Sequence, residues 1–113
     1  MLTTDPAMYD FMQRQVRAHP GLALGGPTLN WLLEALRETR ALAALTPPAL
    51  PCLCMMGGNE RVVDAGRIRS VMARWPGGRL EVIPGAEHEM MMETPATRRR
   101  FYDGAAALFD ARS

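Results

Sequence analysis

Two short stretches of the sequence hold side chains able to do chemistry. One is Gly57-Gly58-Asn59-Glu60-Arg61-Val62-Val63-Asp64, and the other is Pro84-Gly85-Ala86-Glu87-His88-Glu89. An imidazole takes up and returns a proton near neutral pH, and a carboxylate beside it fixes its tautomer and stabilises its protonated form. A carboxylate in one loop and His88 in the next would therefore make the acid and base half of a nucleophilic triad. Glu60 is the expected acid. Asp64 is the rival, but it stands where a following helix needs an N-cap. A metal site built from Glu87, His88 and Glu89 is a weaker alternative, because adjacent residues at a strand end or in a loop diverge in direction. The nucleophile is missing: the only serines are Ser70, within an expected helix, and Ser113 at the last position, and no glycine-any-serine-any-glycine turn occurs.

The surrounding pattern shows which elements must carry these loops. Met8, Phe11 and Met12 have helical spacing within a segment from about Pro6 to Ala18, which His19, Pro20 and Gly21 end. After the flexible stretch Gly21 to Pro27, Thr28 can cap a helix whose Leu29, Leu32, Leu33 and Leu36 form one apolar stripe. That stripe must lie on something. Pro47, Pro48 and Pro51 then exclude helix, and the unbroken apolar run from Cys52 to Met56, ended by Gly57 and Gly58, suits a strand covered on both faces. Asp64 opens a helix with Ile68, Val71, Met72 and Trp75 at helical spacing, ended by Pro76, Gly77 and Gly78. Arg79 to Ile83 alternates as a second strand before Pro84 and Gly85. Thr94 and Pro95 start a last helix running to about Ala111, with Phe101, Ala105, Leu108 and Phe109 inward. Strand, helix, strand, helix implies an α/β fold with parallel strands, and both chemical stretches fall just beyond the C-terminal ends of those strands, where open α/β sheets build their sites.

At this level of detail the stretch from Leu50 to Glu93 resembles the end of the lysophospholipase and monoglyceride-lipase branch of the α/β-hydrolase superfamily. The family's acid motif is a glycine, two variable residues, the acid, one variable residue and two β-branched residues; Gly57 to Val63 reproduces it with Glu60 as the acid. Its histidine motif is a glycine, two residues and the histidine, with a glutamate about a turn later; Gly85, His88 and Glu93 match. The spacing of 28 residues between Glu60 and His88 leaves room for one helix and one strand. Upstream, Leu2-Thr3-Thr4-Asp5-Pro6 and Gly25-Gly26-Pro27-Thr28 resemble the end of the lid and its return to the core. Most relatives carry aspartate where Glu60 stands, and either carboxylate serves in this fold.

The resemblance implies the C-terminal part of an α/β-hydrolase fold, with two parallel strands, flanking helices and the end of a helical lid. Residues 1–27 would be lid and residues 28–113 core. It implies a serine hydrolase acting on carboxylic esters, lysophospholipids or monoacylglycerols, in which His88 and Glu60 are catalytic and the serine lies outside this chain, because the chain order of the fold is nucleophile, acid, histidine. No metal or organic cofactor is expected. The 113-residue chain alone would be inactive, and the rival reading is a non-catalytic fragment or binding subunit that completes its sheet with a partner.

Composition bounds the partners. A chain of 113 residues that is 48% apolar supports one core, and a net charge of +1 gives no field to steer it to nucleic acid or an anionic membrane. The apolar run from Leu50 to Met56 is far short of the ~20 residues that span a bilayer. The first residues show no secretory signal, so a cytoplasmic location is expected. Cys52 and Cys54 fall on one face of a strand and are expected to pack as small hydrophobes. His19 is expected on the surface, Arg98, Arg99 and Arg100 form a solvated helix face, and Met90, Met91 and Met92 are expected beneath the histidine loop, with an acyl pocket as the lesser alternative. Two strands are too few for a stable sheet, so a homo-oligomer or pairing with a missing N-terminal portion is expected.

Overall fold

The computed structural model describes residues 2–111. Helix α1, Pro6–Ala18, begins where the Asp5 side chain accepts from the N–H groups of Ala7 and Met8, with Pro6 preset for the first turn. A single 3-10 turn, Pro20–Leu22, follows the exposed His19. Helix α2, Leu29–Ala44, starts on the Thr28 side chain, which accepts from the N–H of Trp31. Strand β1, Cys52–Gly57, and strand β2, Gly78–Ile83, pair in parallel, with Cys52 opposite Gly78 and Gly57 opposite Ile83. Helix α3, Ala65–Met72, connects them, and helix α4, Pro95–Asp110, follows β2 after a 3-10 turn at Met90–Met92.

The two faces of the sheet receive different helices. Cys54 shares a pocket wall with Ile68, Val71 and Met72, which places α3 on that face. On the other, Leu53 comes so close to Gly104 that a side chain there would lie 2.9 Å from its Cδ2, and α4 uses that glycine to approach the strand. Helices on both faces of parallel strands are the α/β arrangement the sequence implies. The Asp64-capped helix is shorter than its apolar spacing suggests. Beyond Met72 the chain tightens into turns of the i to i+3 type at Arg74 and Trp75, and the Trp75 indole N–H donates to the Leu50 carbonyl at 2.8 Å. Cys52 and Cys54 are free thiols, half-buried in the strand.

The core is small for so apolar a chain. Among the described residues the buried hydrophobics are Met56, Ile83, Ala86 and Met90, with Met55 and Phe101 packed against the last three. Met90 thus lies under the histidine loop, while Met91 is exposed. The α2 stripe lacks the cover its pattern calls for: Leu29 is 80% exposed and Leu36 57%. The radius of gyration is 16.4 Å, against about 13 Å for a compact domain of ~100 residues. Among the described residues no helix is long and apolar enough to cross a membrane.

Candidate active site

The site is built where β1 and β2 end side by side. At the end of β1, Gly57 passes so close to the histidine loop that a Cβ would sit 2.1 Å from the Glu87 carbonyl oxygen and 2.4 Å from that of Ala86. Only glycine allows this approach. Gly85, with φ at +77°, turns the chain out of β2 in a conformation that favours glycine. Three hydrogen bonds then join the two loops: the Gly58 N–H donates to the Ile83 carbonyl at 2.8 Å, the Asn59 N–H to Ala86 at 3.0 Å, and the Asn59 side-chain amide to Gly85 at 3.1 Å.

This framework brings Glu60 and His88 together. Glu60 Oε2 lies 2.7 Å from His88 Nδ1, and Oε1 accepts from the N–H groups of Val62 at 2.6 Å and Val63 at 3.1 Å. The Glu60 side chain is 4% exposed and that of His88 29%. Burial alone would raise the Glu60 pKa. The bond from His88, the N–H groups of Val63 and Val62, and the charge of His88 outweigh it and hold the carboxyl below the ordinary glutamate range. An ionised carboxylate has no proton to give, so Nδ1 carries the hydrogen between them, and in the neutral form of the ring Nε2 holds the lone pair. Asp64 does something else. Its carboxylate accepts from the Arg67 N–H at 3.1 Å and caps α3.

A second carboxylate organises the other side of the histidine loop. Glu93 is 1% exposed. Its Oε1 accepts from the N–H groups of Thr4 and Glu87, both at 2.9 Å, and its Oε2 from the Thr4 hydroxyl and the Thr94 N–H. Burial would raise its pKa too, but these donors, the Thr4 hydroxyl foremost, hold it low. The solvated arginine face divides on inspection. Arg98 is drawn inward to donate to the Glu93 carbonyl at 2.7 Å and to Asp5 at 3.3 Å, while Arg99 and Arg100 are exposed as expected, Arg100 reaching Glu81 on β2 from the surface. Among the described residues no group of three or more metal-binding side chains converges.

A family model described as Serine aminopeptidase, S33 matches residues 1–95. The chain belongs to that family. Within the α/β-hydrolase superfamily it falls in the lysophospholipase branch. This S33-family chain is 33% identical over 90 residues to the probable lysophospholipase L2 of Haemophilus influenzae, covering 79% of the chain and 29% of that protein. It is 38% identical over 88 residues to lysophospholipase L2 of Escherichia coli strain K12, covering 70% of the chain and 26% of that protein. It therefore spans less than a third of the length of these relatives. No solved structure matches it.

In this family member the described residues offer no activated nucleophile near the pair. Ser70 is an exposed residue of α3, and Ser113 lies outside the described residues. Burial, followed by the charge of Cys52, pushes the Cys54 thiol up, away from the reactive thiolate. Sequence reasoning passed over Asn59, which stands at a variable position of the acid motif, and the partners of Glu93. The pairing of Thr3-Thr4 with the histidine motif was the signal for the second, but its contacts bridge 89 residues.

Proposed function

We propose that this chain supplies the acid and the base of a serine hydrolase that cleaves carboxylic esters of lysophospholipids or monoacylglycerols. The hydrogen bond between Glu60 and His88 carries the reading, and the lysophospholipase relatives support the substrate class. His88 Nε2 takes the proton of a serine hydroxyl contributed from outside this chain as that oxygen attacks the ester carbonyl. It gives the proton to the departing alcohol, then repeats the exchange with water to free the acid and restore the serine. Glu60 holds the ring in the required tautomer and stabilises the imidazolium. Residues 1–27 are the end of the lid and residues 28–113 the core.

The test is reconstitution. Alone, the chain should hydrolyse an activated short-chain ester no faster than its His88→Ala variant. Joined to the N-terminal portion of Escherichia coli lysophospholipase L2, which resembles it, the hybrid should turn over and lose about 10⁴-fold or more with His88→Ala or with loss of the nucleophile. A folded hybrid indifferent to His88→Ala refutes the assignment.

A second reading, a non-catalytic module completed by another chain, is favoured by one observation. The accessible surface is 8258 Å², whereas a compact monomer of 12.5 kDa exposes about 6,200 Å². This one-chain excess of about 2,000 Å² is more than the ~800 Å² that each partner gives to a standard interface and is on the scale of one side of a large permanent one. Both readings place the cover on the open edge of β1 and the leucine stripe of α2.

A further inference from the structure

The geometry points to Glu93 as the positioning residue through which the N-terminal segment Leu2–Asp5 sets the orientation of His88. This inference rests on the triad reading of Glu60 and His88. Among the described residues His88 has one side-chain tie, to Glu60, but the residue after it is bound to the N-terminal segment directly and the residue before it through Glu93. On one side the Glu87 N–H donates to Glu93 Oε1, the same oxygen that accepts from the Thr4 N–H. On the other, the Glu89 N–H donates to the Leu2 carbonyl at 2.8 Å. The Thr3 hydroxyl adds a bond to the Met92 carbonyl at 2.7 Å, and Thr3 is 1% exposed. Arg98 closes the ring by joining the Glu93 carbonyl to Asp5.

A buried carboxylate that only filled space would cost stability, because four donors must be brought to it for it to stay charged. Here the donors come from three places: the N-terminal segment, the residue before His88, and the N-cap of α4, Thr94, whose own side chain caps no backbone N–H and instead meets the Thr97 hydroxyl at 3.2 Å. A negative charge at that helix start is also favoured by the helix dipole. Asp5 in turn caps α1, so the placement of α1 is transmitted through Thr4 and Glu93 to the backbone that orients the imidazole. Removing a hydrogen bond to a charged acceptor would therefore loosen His88 without touching it or Glu60.

The ring proton of His88 provides the readout. In the full 113-residue chain, the Nδ1–H held by Glu60 should give a far-downfield proton resonance. Thr4→Val keeps the side-chain shape but removes the hydroxyl donor, and should broaden or abolish that resonance and speed exchange of the Glu87 amide about tenfold. Glu93→Gln should do the same, and Thr4→Ser, which restores the hydroxyl, should recover both. Amide protection across Cys52–Gly57 and Gly78–Ile83 should hold in Thr4→Val. An unchanged ring resonance in Thr4→Val overturns the proposal and leaves the triad reading standing, as does loss of strand protection together with that of the loop, since Thr4 would then hold the fold. Absence of the resonance in the unaltered chain overturns the triad reading itself, and this inference with it.

Discussion

Replacing Gly57 by alanine tests how the site is held. The added Cβ would fall 2.1 Å from the Glu87 carbonyl oxygen, whereas real Cβ atoms essentially never come under 3.0 Å, and the obstructing atoms are backbone. The two loops must therefore part by about 1 Å, at a cost of roughly 1–3 kcal/mol for forced overpacking. Glu87 directly precedes His88, so the movement is passed to the imidazole. A Glu60 to His88 separation of 2.7 Å lengthened by that amount is no longer a hydrogen bond. In a reconstituted hydrolase a misplacement of this size should lower kcat/KM by about 10²-fold. Urea denaturation of the chain and the downfield His88 resonance check the two halves of the claim separately. If Gly57→Ala unfolds within about 0.5 kcal/mol of the parent, the scale of a neutral surface change, and keeps that resonance, the close approach does not position the histidine loop.

Three further outcomes are expected. Glu60 and Glu93 have folded pKa values below that of an unfolded glutamate, about 4.3, so their contribution is complete above that value and is lost as pH falls through the folded values; denaturation midpoints should drop in that acid window, and less so in Glu93→Gln. Asp64→Ala should cost about 1 kcal/mol through its lost cap and leave the His88 resonance in place, whereas Glu60→Gln should remove the resonance; the reverse pattern would make Asp64 the acid. In sedimentation the purified chain should associate, and Leu33→Glu on α2 should weaken that association; a monomer with cooperative unfolding would show that the exposed leucines need no cover.

Much of this was legible because it is local. The apolar run ending in Gly57 and Gly58 and the alternation from Arg79 to Ile83 announced both strands, and the N-cap argument separated Asp64 from Glu60 before any distance was known. What escaped depends on neighbours far along the chain. Arg98 points in a direction that helix geometry alone assigns to solvent, yet Asp5 and the Glu93 carbonyl wait there. Residue type cannot report such partners. The α2 stripe failed in the opposite sense: its spacing states a demand for cover but cannot say which chain meets it.

The site and the core thus differ in how complete they are, and for a physical reason. Glu60, Asn59, Gly85, His88 and Glu93 are held by hydrogen bonds among loops that two parallel strands and one N-terminal segment already bring together, so their geometry closes without further chain. Hydrophobic burial has no such short range. It scales with the area removed from water, and β1, α2 and the residues around them keep apolar surface that two strands and three nearby helices cannot cover. The Glu60 and His88 pair is therefore formed on a scaffold that leaves apolar surface bare. In a fold whose nucleophile, acid and histidine come from successive parts of the chain, it follows from the proposed function that whatever supplies the nucleophile should also cover that bare surface.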